Sequence, residues 1–210
     1  MLADAGTVVD LGLVLAVDCS SSIDAGDFRI QMQGIAAALR HPSLSTAIAA
    51  GAHRQIALSL VFWSNAQTQA IALPWRLLGN RADLEIAARQ IETTERKVPP
   101  GGTGLAAAVD FSAALLQVLP IPAERLTIDV SGDGEDNEGG NASAARDRAV
   151  ARGITINGLP IIDGSSMIAK YYHDQVIGGP GAFIEQAETI MSFRDTILRK
   201  LLREIGRPVS

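Results

Sequence analysis

Residues 11–17, LGLVLAV, carry no polar side chain and stop abruptly at Asp18-Cys19-Ser20-Ser21-Ser22. Apolar residues that continue rather than alternate mark a strand buried on both faces. The expected strand spans residues 9–17. Such a strand belongs inside a sheet covered by helices on both sides, and this restricts the chain to layered α/β architectures.

The rest of the chain fits that frame. Asp24 or Ser22 can cap the helix that follows, with Asp27 in its first turn and Phe28, Met32, Ile35, Ala36 and Leu39 on one face. His41-Pro42 breaks it, and a short helix through Ile48 follows. Residues 54–63 and 67–74 read as two strands, and the short connection Ser64-Asn65-Ala66 makes them an antiparallel hairpin. Helices are predicted over residues 81–95 (capped by Asn80), 105–118, 142–152, 163–173 and 189–205. Further strands are predicted over 125–131 and 154–161, with a last edge strand over 182–186. The fold class is therefore α/β: a doubly wound, mostly parallel central sheet with one antiparallel edge strand and helices on both faces. The expected organisation is a disordered remnant over residues 1–7 and a single domain over 8–206.

Composition narrows the partners. Apolar residues make up 47 % of the 210 but aromatics only 4 %, so the core must be aliphatic. A net charge of -5 with no basic run argues against nucleic acid. The apolar stretches are strand-length, short of the roughly 18 residues that span a bilayer, so no membrane span is expected. Met1-Leu2-Ala3-Asp4-Ala5-Gly6 looks like a cleavage-site remnant behind an added Met, which points to the periplasm or a secreted protein and leaves the cytoplasm open. A single cysteine, Cys19, excludes an intramolecular disulfide; it reads as a small buried residue, with a reactive thiol as the alternative.

Three loops carry the chemistry. Asp18-x-Ser20-x-Ser22 places one carboxylate and two hydroxyls in one short turn, a hard-oxygen set that suits Mg²⁺ or Mn²⁺ better than a soft metal. Pro100-Gly101-Gly102-Thr103-Gly104 adds a hydroxyl in a glycine-rich loop where backbone can approach a ligand. Ser131-Gly132-Asp133-Gly134-Glu135-Asp136-Asn137 follows a predicted central strand, with Asp133 as the carboxylate nearest its end. Ligands in doubly wound sheets bind at the carboxyl ends of the strands, and all three loops can open there. The plain alternative is that Asp18 and Ser22 cap one helix, Thr103 caps another and Asp133-Gly134 is a turn. The acidic run through Glu138 is not an EF-hand, since Glu138 stands where that loop needs glycine. Asp129 interrupts a strand that should be buried; Arg125 or a backbone donor are its candidate partners. Trp63 is expected in the core and Trp75 near the surface, while His41, His53 and His173 have no ligand spacing.

The three loops, in this order and on these elements, resemble the von Willebrand factor A domain with its metal-ion-dependent adhesion site. The resemblance covers nearly the whole chain. The RLTIDVSGDGEDN segment looks most like an uncharacterised bacterial secreted group within that superfamily. It implies that Ser20 and Ser22 bind the metal through their hydroxyls, with Asp18 contacting it directly or through water. Thr103 would bind directly when a ligand is present, and Asp133 mainly through water. Gly102, Gly104, Gly134, Glu135, Asp136 and Asn137 would form the partner-binding rim. The implied cofactor is Mg²⁺ or Mn²⁺, ahead of Ca²⁺. The implied function is metal-dependent protein binding, in adhesion or complex assembly, without catalysis. An Asp or Glu from a partner protein would fill the open coordination position. The alternatives are a structural or self-assembling domain in which the metal only braces loops, and a Mg²⁺-dependent hydrolase with Asp18 as nucleophile. Hydrolysis is disfavoured because position 20 is Ser rather than a second carboxylate and no lysine lies within the loops. Oligomeric state is left open.

Overall fold

The structure is a computed structural model that describes residues 7–164 and 166–206. The remnant expected over residues 1–7 therefore falls, apart from Thr7, outside the described residues. A five-stranded sheet runs through the middle in the order β3-β2-β1-β4-β5. Its strands are β1 (Leu11–Asp18), β2 (Ile56–Trp63), β3 (Gln69–Leu78), β4 (Leu126–Gly132) and β5 (Ile154–Pro160). β1 pairs in parallel with both β2 and β4, β4 pairs in parallel with β5, and β3 is antiparallel to β2. The chain is thus doubly wound with one antiparallel edge, as its patterning predicts.

β1 shows why both faces are covered. Leu11, Leu13, Leu15 and Val17 point into one apolar cluster, Val14 and Ala16 into the other. The first cluster is closed by α1 (Ala25–Arg40), α2 (Pro42–Ala49), α3 (Arg81–Glu92) and the terminal α7 (Phe193–Ile205). The second is closed by α4 (Leu105–Gln117), α5 (Ala142–Val150), Trp63 and Tyr172. Burying one Leu, Ile or Val side chain is worth about 1.5–3 kcal/mol, so aliphatic residues alone can supply a core of this kind.

Three boundaries differ from expectation. β3 continues past Pro74 to Leu78, because Pro74 is exposed on an edge strand, where a missing N–H breaks no ladder. The segment near 182–186 forms no named strand; it meets β5 at the isolated bridge Gly158–Ile184 and through Phe183 N–H donating to Asn157 Oδ1 at 3.1 Å. Beyond β5, α6 (Ser166–Tyr171) runs into a π-helical turn over Tyr172–Val176, closed by Ile177 N–H donating to the Tyr172 carbonyl at 3.0 Å.

Asp129 finds a partner far along the chain. Its Oδ1 lies 2.7 Å from Lys200 Nζ on α7, and Lys200 also reaches Glu204 Oε1 at 2.8 Å. Asn157 Nδ2 on β5 donates to the same Glu204 oxygen at 2.8 Å. Arg125, the partner expected from sequence, instead sends Nη1 to the Glu204 carbonyl at the end of α7. Burial and the second carboxylate push the Asp129 carboxyl up, to about 7, against the pull of Lys200.

Candidate metal centre

β1 enters the sheet between β2 and β4, so the chain's connections leave it in opposite directions. The crevice at that switch point opens beyond Asp18 and Gly132. The last sheet bond there runs from Cys19 N–H to the Trp63 carbonyl at 2.7 Å. A turn follows, closed by Ile23 N–H on the Ser20 carbonyl at 3.1 Å. Within it Ser20 N–H donates to Asp18 Oδ1 at 2.6 Å.

The helix cap decides what Ser22 can do. Asp24, not Ser22, caps α1 by accepting from the N–H groups of Gly26 and Asp27. Ser22 Oγ is left to donate to Asp133 Oδ1 at 2.7 Å, and it lies 3.1 Å from Ser20 Oγ. Thr103 is likewise not a cap. α4 starts at Gly104 without a side-chain cap bond, and its Ala106 N–H goes to Asp136 Oδ2 at 2.8 Å. Thr103 is buried, and a Cβ placed on Gly134 would come within 3.2 Å of its Oγ1.

The three loops are tied pairwise. Ser21 N–H and Oγ–H both donate to the Gly101 carbonyl at 2.9 Å. Asn137 N–H donates to the Thr103 carbonyl at 3.0 Å, and Asn137 Oδ1 accepts from Thr103 N–H at 2.8 Å. Ser22 to Asp133 closes the third side. Asp18, Ser20, Ser22, Thr103 and Asp133 therefore converge on one end of the crevice.

The rim needs a correction. Gly104 is buried, not exposed to a partner: its N–H donates to the Ser64 carbonyl at 2.7 Å, and a Cβ there would meet Ala66 N at 2.6 Å. Asp136 also works inward. One carboxylate oxygen caps α4; the other accepts from the N–H groups of Glu138 (3.2 Å) and Gly140 (2.9 Å). Asn137 is exposed but braces Thr103. Gly102, Gly134 and Glu135 keep partly or fully exposed positions around the crevice.

Two contributors carry no signal in the local sequence. Arg96, from the connection between α3 and α4, donates to the carbonyls of Cys19, Ser20 and Ile23, so its guanidinium clamps the backbone of the first loop. Gln31 on α1 reaches the Asp18 carbonyl at 3.4 Å. Cys19 sits inside this clamp, fully buried; burial pushes its thiol up to about 12, so it stays protonated and inert.

Electrostatics single out Asp18. Its side chain has no exposed surface and its Oδ2 makes no hydrogen bond within 3.5 Å among the described residues. Burial pushes its carboxyl up to about 7 against the hydrogen-bonding pull of Ser20; the Asp133 carboxylate adds repulsion and the Asp133 backbone N–H relieves part of it. Two carboxylates and three hydroxyls in one crevice are hard oxygen donors that need positive charge. Among the described residues no three His, Cys, Asp or Glu side chains gather into a metal-holding group. The donors that Asp18, Ser20, Ser22, Thr103 and Asp133 offer are all oxygens, a set that fits an oxygen-preferring divalent ion.

The fold is that of von Willebrand factor A domains. Proximal thread matrix protein 1 from the mussel byssus aligns with a TM-score of 0.66 at 13 % identity, over 94 % of this chain and 48 % of that one. A second structure of that protein, described as having a zinc-occupied MIDAS motif, aligns at 0.63 and 13 % identity, covering 94 % and 46 %. BatB from Bacteroides thetaiotaomicron aligns at 0.59 and 15 % identity, covering 94 % of this chain and all of that one. This chain spans about half the length of the mussel protein. No curated protein matches it. Its sequence matches, over residues 8–209, the family described as "Protein of unknown function (DUF1194)", and the chain belongs to that family.

Proposed function

We propose that this chain is a divalent-metal-dependent protein-binding module that acts without catalytic turnover. Ser20, Ser22 and Thr103 would supply neutral oxygen ligands, and Asp18 and Asp133 the balancing charge. Mg²⁺ is the proposed ion, with Mn²⁺ as its close substitute. Such an ion supplies a Lewis-acidic position that accepts a carboxylate. Neutral hydroxyl ligands leave it electron-poor, which favours an Asp or Glu side chain from a partner protein. Gly102 and Gly134 are partly exposed beside the crevice, and the Glu138 carboxylate, which lies against Gly102, would have to give way to an incoming partner carboxylate there. We place the protein in the periplasm or outside the cell, where its structural relatives include a pilus adhesin. No helix among the described residues is long and apolar enough to cross a membrane.

The observation that carries this reading is the buried Asp18 carboxylate. It faces Asp133 and three hydroxyls in a crevice whose nearby guanidinium, Arg96, is spent on backbone carbonyls. The test is thermal unfolding with Mg²⁺, Mn²⁺, Ca²⁺, Zn²⁺ or EDTA, on wild type and Asp18→Ala. At 100 times its dissociation constant a ligand adds about 2.7 kcal/mol, which is roughly 5–10 °C for a chain of this size. The expected result is a rise of that order with Mg²⁺ or Mn²⁺, absent from Asp18→Ala. No rise with any ion removes the metal from the proposal. The partner half is tested by comparing capture of carboxylate-bearing proteins in Mg²⁺ and in EDTA. A Ser20→Ala, Ser22→Ala variant that captures as well as wild type would overturn it.

A further inference from the structure

Tyr172 takes no part in the five-residue site, yet its hydroxyl is aimed at that site's floor. The side chain is fully buried at the first position of the π-helical turn, and its Oη has no hydrogen-bond partner among the described residues. π-helical turns inside helices often mark functional sites.

Two glycines on neighbouring strands make the slot it occupies. A Cβ on Gly158 of β5 would lie 2.7 Å from Tyr172 Cδ1, so any larger residue there would push the ring out. A Cβ on Gly132, the last residue of β4, would lie 2.8 Å from Tyr172 Oη and the same distance from Asp18 Oδ2. Both oxygens thus face one point, and their separation cannot exceed twice that distance. Because neither oxygen makes a hydrogen bond to the other, the gap is the span of one bridging water. Asp18 Oδ2 is the carboxylate oxygen that Ser20 N–H does not hold; it makes no hydrogen bond within 3.5 Å among the described residues, although the Asp133 backbone N–H lies near enough to draw the carboxyl's pKa down. Two buried polar atoms this close, each without a hydrogen-bond partner among the described residues, are rare in folded proteins and point to a shared role.

We propose that Tyr172 is a positioning residue of the metal centre: its hydroxyl donates through one water to Asp18 Oδ2 and fixes the carboxylate plane from below. The inference rests on the metal-binding reading above. With Ser20 N–H on Oδ1 and Tyr172 on Oδ2, both edges of the carboxylate are held before an ion arrives. Partners of this kind behind a ligand commonly change metal affinity by 10- to 100-fold. The neighbouring Tyr171 does a different job. Its hydroxyl accepts from Asp136 N–H at 3.2 Å and so supports the third loop.

The test is calorimetric titration of Mg²⁺ and Mn²⁺ into wild type, Tyr172→Phe and Asp18→Asn, alone and combined, with apo unfolding followed in EDTA. Tyr172→Phe is expected to weaken metal binding about tenfold while leaving the apo unfolding temperature unchanged. It is expected to add nothing in the Asp18→Asn background. Equal metal affinity in wild type and Tyr172→Phe overturns the proposal, and so does a loss of apo stability with affinity retained. If wild type itself binds neither ion, the metal-binding reading fails first and takes this inference with it.

A second measurement needs no change at position 172. The chain has two tyrosines, so Tyr171→Phe leaves Tyr172 as the only one. A ¹³Cζ-tyrosine label then gives a single resonance, which is expected to shift on Mg²⁺ addition. A resonance that stays put at saturating Mg²⁺ overturns the proposal.

Discussion

Asp18 and Asp129 lie on adjacent strands of the same sheet, both buried, both with carboxyls pushed up to about 7 mainly by burial. The protein treats them differently. Asp129 is answered from within the chain by Lys200, itself fully buried on α7. Among the described residues Asp18 has no such cation; the nearby guanidinium, Arg96, holds backbone carbonyls instead. A buried carboxylate that the fold neutralises is architecture, because it pins α7 to β4 and β5. One left without a counter-charge, at the open end of the sheet and among hydroxyls, is set up to take its charge from outside.

The largest expected effect breaks the internal side of this contrast. Lys200→Met leaves Asp129 and Glu204 buried together with no cation between them. Removing one partner of a buried ion pair costs about 3–5 kcal/mol, which is a large fraction of a typical domain's stability. Urea unfolding in EDTA is expected to show a loss of that size. The Mg²⁺ response should survive in whatever fraction remains folded. A loss below about 1 kcal/mol, the level of an exposed pair, would show that the cluster does not hold α7.

Asp18→Asn should behave in the opposite way. The amide oxygen can still accept from Ser20 N–H, and a buried charge with no partner disappears. In EDTA its stability is expected to equal or exceed that of wild type, while the roughly 2.7 kcal/mol gained at 100 times the metal's dissociation constant is lost. If Asp18→Asn unfolds earlier than wild type in EDTA, the carboxylate is compensated within the fold, and the contrast with Asp129 collapses.

How much of this was legible in the sequence follows the same division. The sheet could be read because fully buried strands are apolar runs, and the metal loops because each motif is local: Asp18, Ser20 and Ser22 lie within five residues. Their convergence needed only the rule that such loops share one sheet edge. Lys200, Arg96 and Tyr172 were not legible, since each acts on a residue at least 70 positions away. A lysine on an amphipathic helix and an arginine in ETTERKVPP look like solvated charges until the fold brings them in. Expecting Arg125 beside Asp129 followed from the same restriction to neighbours. Gly104 was misplaced on the rim because sequence shows that a glycine permits close approach, but not whether a ligand or another loop makes it. Here it is the backbone at Asn65 and Ala66.

Stability against pH sharpens the contrast further. The Asp129 carboxyl is raised above the ordinary 3.8 by burial and by Glu204, with Lys200 opposing. The groups facing it are Lys200 and Glu204 from α7 and the Tyr172 phenol from beyond β5. A raised folded-state value means that the folded form holds the proton more tightly. Its contribution to stability is full below about pH 4 and is lost as the pH rises through about 7. Glu204→Gln leaves one ammonium for one carboxylate, with Oε1 still able to accept from Asn157. Between pH 5 and pH 8 in EDTA, wild type is expected to lose more stability than Glu204→Gln. Equal slopes would mean that Glu204 does not raise Asp129.

The smallest expected effect separates bracing from binding within the metal loops. Asp136 lies next to Asn137 and three residues from Asp133, and sequence alone places it on the rim with them. Its carboxylate nevertheless accepts from Ala106 at the start of α4 and from Glu138 and Gly140 in its own loop. Asp136→Ala removes a cap and should cost about 1 kcal/mol in urea unfolding, with or without Mg²⁺. Because the cost is the same in both conditions, metal affinity should stay within about twofold of wild type, a coupling of roughly 0.4 kcal/mol. A much larger drop in affinity would make Asp136 part of the ion's surroundings. The boundary between the braced loops and the charge they present would then move outward from Asp133 to Asp136.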